Sequence, residues 1–407
     1  MKGKGPDHQF SRLSAESRPT LDVALFVGDT DDAITVRRRA SLLKADCSVT
    51  VFGFARDRYR VEGARHESTV PLGTIADRQY VSRIVKLCRA LVLVVRNKRI
   101  FRAADRLYAR NLDMALLALS ARFLLRTNAP LTYEVLDIAP ILQGSGIKSR
   151  VARSLEQYVL NACDELVVSS PGFLKGYFSA VQNYSGRCWL IENKLSPHQV
   201  GGHERSRSES AIKKPVSQPW RLGWFGTLRS EESLRTLVSA AELLAGELLV
   251  DIWGIFKAIP RDRAIEIINE SMYVNYHGAY AAATDLPNLY GSVDFMWCGD
   301  VGTINEFNDR LLLPNRLYEA AYFAVPLIAV RGNETACRID EWKLGWVLAD
   351  ACAESIVSFF KSLNESDYST KVGDMLAHPE ERFVESDEIE ALVYRWNATL
   401  NPSAASA

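Results

Sequence analysis

The sequence predicts an α/β protein of two domains, each a parallel sheet covered by helices, with the two sheets facing a central cleft. Three observations carry this expectation. Short apolar runs that end in glycine and lead into helices start both halves of the chain, at Leu21–Val27 before Gly28 and again at Trp220–Gly226. Between the halves, residues 196–219 are rich in Ser, Gly and alternating charge with little to bury, which is a linker composition. At 407 residues the chain is also long for one core, and two domains are the natural expectation. The predicted boundaries are a loose tail over 1–20, a first domain over 21–195, the linker, a second domain over 220–385, and a C-terminal helix and tail over 386–407.

Composition narrows the function classes. Lys and Arg balance Asp and Glu at 49 each, which excludes a polyelectrolyte binder and directs attention to local charge. The seven cysteines are scattered with no CxxC pair, and the six histidines show no HExxH spacing. That pattern fits reduced thiols in a cytoplasmic protein and argues against a metal held by a local motif. No metal or other cofactor is expected. Met1 to Thr20 lacks the apolar core of a signal peptide, and no apolar run is long enough to span a bilayer.

In the first half, Leu21–Val27 is a strand closed by Gly28, and Asp29-Thr-Asp-Asp32 can cap a helix from Ala33 to about Ala45. Cys47–Phe52 is the second strand, closed by Gly53. Strand, helix, strand in this order is a βαβ unit and starts a parallel sheet. Gly28 and Asp29 then stand at the C-terminal end of a strand, where such sheets bind ligands. The GxGxxG dinucleotide fingerprint is absent, which disfavours a dehydrogenase.

Tyr80 to Arg110 is helical in pattern and basic, with nine Arg or Lys from Arg83 to Arg110 against a single acid, Asp105. Two readings stand: a basic amphipathic helix lying on an anionic membrane surface, or a core helix with a solvated basic rim. Nucleic acid is not expected, because nothing aromatic interleaves these charges at a useful spacing. Asp113–Leu119 and Pro130–Leu136 read as two further strands around a helix, with Asp137 just past the second at the sheet edge. Ile147–Cys163 is a long helix carrying Glu156, Glu165–Val168 a strand, Ser169–Gly172 a helix cap and Cys188–Ile191 another strand.

After the linker the rhythm restarts. Strands are expected at Trp220–Gly226, Leu248–Trp253, Val274–Gly278, Val293–Trp297, Leu327–Val330 and Val347-Leu348. Helices are expected at Glu231–Leu244, Asp285–Tyr290, Ala353–Leu363 and Glu388–Leu400, and Gly299–Leu313 reads as a long loop. That loop enters a helix started by Pro314 and stopped by Pro326. Asn315, Arg316 and Glu319 lie in its first turn and a half. A helix start offers free N–H groups and a positive dipole end, so an Arg and a carboxylate there suit a ligand carrying both phosphate and hydroxyl groups. The alternative is that Glu319 complements the dipole and Arg316 is solvated.

The second half resembles the nucleotide-sugar domain of the GT-B glycosyltransferases, close to the large family 4. The matching segments are Leu222-Gly-Trp-Phe-Gly-Thr-Leu-Arg229, Asp251-Ile-Trp-Gly254, Val274-Asn-Tyr-His-Gly278, Leu286-Pro-Asn-Leu-Tyr-Gly-Ser-Val-Asp294 and Leu313-Pro-Asn-Arg-Leu-Tyr-Glu-Ala320. The first half is similar in Tyr133-Glu-Val-Leu-Asp137, in Leu155-Glu-Gln-Tyr158 and in Ala162–Ser170. The overall likeness is to enzymes that build bacterial exopolysaccharides such as succinoglycan. It implies a GT-B fold and metal-independent transfer of a sugar from a nucleotide diphosphate donor, a UDP-hexose such as UDP-glucose, to a lipid-linked oligosaccharide. It further implies that Gly226 and Thr227 bring backbone N–H groups to the donor pyrophosphate and that Arg229 neutralises it. Glu319 would bind the ribose hydroxyls, with Asn315 and Arg316 near the phosphates.

The chain departs from the family pattern in three places. Leu311 stands where the first of two glutamates is usual, leaving Glu306 or Asp309 in the preceding loop as substitutes. Ser230-Glu-Glu-Ser233 follows Arg229 where a lysine is usual, so Arg316 would act beside Arg229. Leu136 stands where many members have histidine, leaving Asp137 as the candidate base towards the acceptor hydroxyl, or as the cap of the following turn. Two other classes compete: a nucleotide-sugar epimerase of the same architecture, which the scarcity of histidine disfavours, and a degenerate transferase serving as a scaffold.

Overall fold

A computed structural model describes residues 21–55, 68–74, 80–201, 205, 219–282, 284–303 and 306–400. The first sheet contains β1 (Leu21–Val27), β2 (Cys47–Ala55), β3 (Thr69–Thr74), β4 (Arg106–Arg110), β5 (Leu131–Val135), β6 (Glu165–Val168) and β7 (Cys188–Leu190), in the order β3-β2-β1-β4-β5-β6-β7. The second contains β8 (Trp220–Leu228), β9 (Leu248–Phe256), β10 (Val274–Gly278), β11 (Phe295–Trp297), β12 (Leu327–Val330) and β13 (Gly345–Leu348), in the order β10-β9-β8-β11-β12-β13. The strands pair in parallel throughout. Parallel strands are buried on both faces, which is why runs such as Leu327–Val330 are wholly apolar.

Both sheets follow one plan. The chain works outward from the first strand and then returns to lay the fourth beside it, β4 on β1 and β11 on β8. Where the order reverses, the loops diverge and leave a crevice at the C-terminal edge. The two crevices fix where a ligand can sit. This is the GT-B arrangement of two Rossmann-like domains around a cleft.

Helices cover the sheets unequally. One face of the first sheet carries Tyr80–Arg96, Leu112–Leu125 and Ile147–Ala162. The other carries Ala33–Lys44 together with the C-terminal helix Glu388–Leu400, whose Ile389, Leu392, Val393 and Trp396 bury against Leu21, Val23 and Leu25 of β1. The indole Nε1 of Trp396 also donates to Glu165 Oε2 at 2.9 Å. The chain therefore ends on the domain in which it began.

The structure corrects several expectations. Asp113–Leu119 is not a strand but part of the helix Leu112–Leu125. Met114, Ala115, Leu117, Ala118 and Leu119 are all buried, so this helix is apolar around most of its circumference and shows no amphipathic period to read. The strand expected there is β4, Arg106-Leu-Tyr-Ala-Arg110, hidden by its terminal arginines. The helical reading of the basic run thus holds only over Tyr80–Arg96 and Lys98–Ala103. Arg106 and Arg110 lie inside the domain, and neither is available to a membrane surface.

Gly299–Leu313 is not wholly irregular, because Glu306–Leu311 forms a helix. The helix expected to run to Pro326 spans Asn315–Tyr322 and is ended earlier, at Ala324, which takes a left-handed conformation (φ 51°). Pro314 takes an extended conformation just before it. Strand β3 and the helices Arg261–Ile268, Glu334–Glu341 and Glu365–Leu376 have no counterpart in the sequence reading. Part of residues 196–219 is ordered: Pro197–Val200 is a short helix with a Ser196–Gln199 capping box, and Arg205 donates to the Tyr322 carbonyl at 3.2 Å. The predicted tail over 1–20 lies outside the described residues.

Candidate functional site

A cavity of about 570 Å³ lies between the C-terminal edges of the two sheets. Its first-domain wall includes Gly28, Asp29, Arg110 and Asp137; its second-domain wall includes Gly226, Thr227, Arg229, Asn315, Arg316 and Glu319. Every candidate site residue of the sequence lines it except Asp309 and Glu306. Both sit on the helix Glu306–Leu311, and the Glu306 side chain is exposed to solvent.

The glycine at the end of β8 has a structural reason. Gly226 and its partner Gly254 in β9 both take positive φ, 107° and 137°. A Cβ on Gly254 would stand 1.8 Å from the Gly226 carbonyl oxygen. Only glycine lets the two strand ends approach so closely, and the approach leaves the Gly226–Thr227 backbone lining the cleft.

Glu319 is the most enclosed carboxylate of the cleft, 6% exposed. Tyr290 donates its hydroxyl to Glu319 Oε2 at 2.8 Å. Burial pushes the Glu319 carboxyl above the ordinary range, against the Tyr290 hydrogen bond and the charges of Arg37 and Arg316. Arg37 comes from the first domain, where its Nη1 donates to the Lys194 carbonyl at 2.6 Å. Arg316 is paired with Asp300, which also accepts from Trp224 Nε1 at 2.8 Å. Burial works against the Arg316 charge, but Asp300 outweighs it and holds the guanidinium more firmly protonated than usual. Arg316 Nη1 is buried and makes no hydrogen bond among the described residues.

Across the cleft, Asp137 follows β5. It keeps accessible surface, which opens into the cleft, while the surrounding walls still strip it of much of its water. That burial raises its carboxyl above the ordinary range; Arg229, the hydrogen bond from Asn308 and Lys257 pull the other way. Asn308 Nδ2 donates to Asp137 Oδ1 at 3.2 Å, while Asn308 Oδ1 accepts from the Ile138 N–H at 2.7 Å. A side chain of the second domain thus holds the candidate base of the first.

Several cleft residues escape sequence reasoning. Lys257 follows β9, its N–H donates to the Leu228 carbonyl at 3.0 Å, and its charge reaches Asp137 beside that of Arg229. A second cation therefore comes from the neighbouring strand end and not from the turn after Arg229. The pattern strand–Gly254-Ile-Phe-Lys257 was its only signal. Arg110, read as part of a basic helix, lines the first-domain wall; its Nη1 donates to Thr35 Oγ1 at 2.7 Å and its Nε pairs with Glu134 at 3.0 Å.

Leu311 faces away from the donor wall. Its side chain meets Gly176, and its backbone lies against Gly172, where a Cβ would come within 2.5 Å of the Leu311 carbonyl oxygen. Ser170 Oγ donates to that same oxygen. The position is a contact between domains, so an apolar residue there follows from packing. Asp309 accepts from Thr303 Oγ1, which occupies the other carboxylate considered for that role. Among the described residues no group of three or more His, Cys, Asp or Glu side chains is arranged to hold a metal ion.

No protein-family profile matches the chain. It is 30% identical over 350 residues to the succinoglycan biosynthesis protein ExoL of Rhizobium meliloti (strain 1021), an alignment covering 86% of each protein. In structure it is similar to sucrose-phosphate synthase from Thermosynechococcus elongatus, with a TM-score of 0.70 at 14% identity over 94% of this chain and 100% of that one. It is likewise similar to HepE of Anabaena in complex with UDP and glucose, with a TM-score of 0.64 at 15% identity over 94% of this chain and 99% of the other. At these identities the structural likeness carries the fold.

Proposed function

The chain belongs to the GT-B glycosyltransferases of exopolysaccharide biosynthesis, in the family of ExoL, and from that premise we propose a donor, an acceptor and a set of roles. The donor is a nucleotide diphosphate sugar, a UDP-hexose such as UDP-glucose, and the acceptor a lipid-linked oligosaccharide. The observation that carries the reading is the second-domain wall of the cleft. There a buried carboxylate, Glu319, stands one helical turn from a cation, Arg316, at a helix start beside the open Gly226–Thr227 backbone. That combination matches a ligand with ribose hydroxyls at one end and a pyrophosphate at the other. The HepE complexes with UDP and with UDP-glucose lend support by analogy of fold.

In this reading Glu319 accepts from the ribose hydroxyls, while Arg229, Lys257, Asn315 and Arg316 meet the pyrophosphate. Asp137 takes the proton of the acceptor hydroxyl as its oxygen bonds to the anomeric carbon. The bond from that carbon to the phosphate oxygen breaks, and the departing nucleoside diphosphate carries the electron pair into the cationic wall. A raised carboxyl suits the base, because its affinity for a proton moves towards the working pH. Gly28 and Asp29 border the acceptor side. Metal is not required when cations and backbone N–H groups neutralise the leaving group.

The assignment of Glu319 is tested by Glu319→Gln. A neutral amide loses hydrogen bonds to a charged acceptor, so UDP affinity in calorimetry should fall by roughly ten- to a hundredfold. Folding should move the other way. Because the native carboxyl is raised, its contribution to stability is present at acidic pH and lost as pH climbs through the raised value. The variant should therefore melt no lower than the parent at neutral pH and show a flatter pH dependence. Unchanged UDP affinity would remove Glu319 from the donor site.

A further inference from the structure

We propose that the outer face of the three-helix layer on the first domain is a docking surface for an anionic lipid bilayer, centred on the helix Ile147–Ala162. On that helix Ile147, Val151, Leu155 and Tyr158 recur at helical spacing on the solvent side, with Ile147 72% and Tyr158 58% exposed. These four are not the core stripe; the core takes Ala152, Val159 and Leu160 from the opposite side. Lys148 and Arg150 stand exposed between them, and the one acid of the helix, Glu156, is buried.

The rest of the layer repeats the pattern. Val92 and Ile100 are exposed among Arg89, Arg96, Lys98, Arg99 and Arg102, and Phe123 is 81% exposed beside Arg126. No acidic residue occurs in Tyr80–Ala103, and the one in Leu112–Leu125, Asp113, lies in the cleft. A protein partner is ordinarily met by mixed charge around an apolar centre; here apolar side chains are rimmed by cations, with the exposed acids Asp105 and Asp164 confined to the segments just past Ala103 and Ala162, which matches headgroup phosphates with acyl chains beneath.

Charge along the chain gives an independent argument. The first domain, residues 21–195 with the C-terminal segment 386–407 that packs on it, holds 27 Lys and Arg against 20 Asp and Glu, whereas residues 196–385 hold 18 against 27. Net neutrality thus conceals a dipole that draws the first domain to a negative surface and turns the second away. The topology then aims the cleft. The helix Ile147–Ala162 starts at the C-terminal sheet edge, a short loop after Asp137, so its apolar stripe begins beside the cleft. A lipid-anchored acceptor would enter from that side. The surface itself stands whether or not the donor reading holds.

The test is sedimentation of the full-length protein with vesicles, without nucleotide or acceptor. Vesicles of phosphatidylglycerol and phosphatidylethanolamine should bind it, pure phosphatidylcholine should not, and added salt should weaken binding. V151E/L155E and K148E/R150E should each cut partitioning by at least about tenfold, since each cation near the surface is worth roughly fivefold. Both variants should keep the parent's UDP affinity, which separates this result from failure of the donor site or of folding. Equal partitioning of parent and variants, or no preference for anionic vesicles, overturns the proposal. So does a dimer in light scattering that V151E/L155E dissociates, because the face would then be an interface between copies.

Discussion

Replacing Arg229 by alanine is expected to lower turnover by about 10²–10³-fold while leaving thermal unfolding close to that of the parent. The size follows from where the cations of the cleft are already committed. Arg316 is paired with Asp300 and Arg110 with Glu134, so removing either deletes a charge that a neighbouring carboxylate largely cancels. Arg229 is half-buried just after β8, and of the cations around Asp137, across the cleft, it is the one that acts most strongly on that carboxylate. Its positive field is therefore directed where a diphosphate would depart. Loss of that field should also raise the Asp137 carboxyl further, so the acid limb of the rate profile should move to higher pH. Initial rates across pH, with a melting curve as control, check both parts. A variant that keeps parental turnover would place the leaving group elsewhere.

Replacing Glu134 by alanine is expected to cost about 3–5 kcal/mol of stability, the usual result of breaking a buried ion pair from one side. Glu134 on β5 is 1% exposed. Arg38 Nη2 approaches its Oε1 at 2.6 Å and Arg110 Nε its Oε2 at 3.0 Å. Without the carboxylate two buried guanidinium groups face each other, relieved among the described residues by Glu385 at 3.5 Å from Arg38 and by Thr35 on Arg110. The reciprocal Arg38→Met should cost less, because Glu134 keeps Arg110. Burial by itself would raise the Glu134 carboxyl, but Arg38 and Arg110 prevail and hold it below the ordinary range. A depressed carboxyl stabilises the fold above its unfolded pKa, and that contribution is lost as pH falls through the native value. Denaturant titrations at neutral and acidic pH should therefore show parent and variant converging on the acid side. A loss below about 1 kcal/mol would mean that the cluster relaxes or admits water.

Much of the fold was legible because parallel strands buried on both faces leave short apolar runs closed by glycine, and nearly all such runs proved to be strands. The two misassigned elements share one cause, a tertiary environment that inverts local pattern. Arg106-Leu-Tyr-Ala-Arg110 looks like the end of a basic helix because its arginines are charged; their burial against Glu134 and Trp396 depends on residues far away in sequence. Leu112–Leu125 looks like a strand within a helix because helices on both sides bury most of its surface.

The site divides in the same way. That Gly226, Thr227, Asn315, Arg316 and Glu319 line the cleft was readable because one strand end and one helix start carry them. Asn308 and Lys257 were not, because their positions depend on closure of one domain on the other and on the pairing of β8 with β9. Leu311 is the instructive case. As a sequence feature it was a missing carboxylate; in the structure it is the residue that seats the second domain on Gly172 and Gly176 of the first.

We propose that this cleft joins a nucleotide-sugar to a lipid-borne acceptor. The most direct measurement follows UDP release and sugar incorporation when purified protein is given UDP-glucose with and without lipid extract from an exopolysaccharide-producing bacterium. UDP release should depend on the lipid, with sugar appearing in the lipid fraction in equal amount. Isomerised sugar released without any acceptor would contradict it and point to an epimerase, and failure to bind any nucleotide would leave a scaffold.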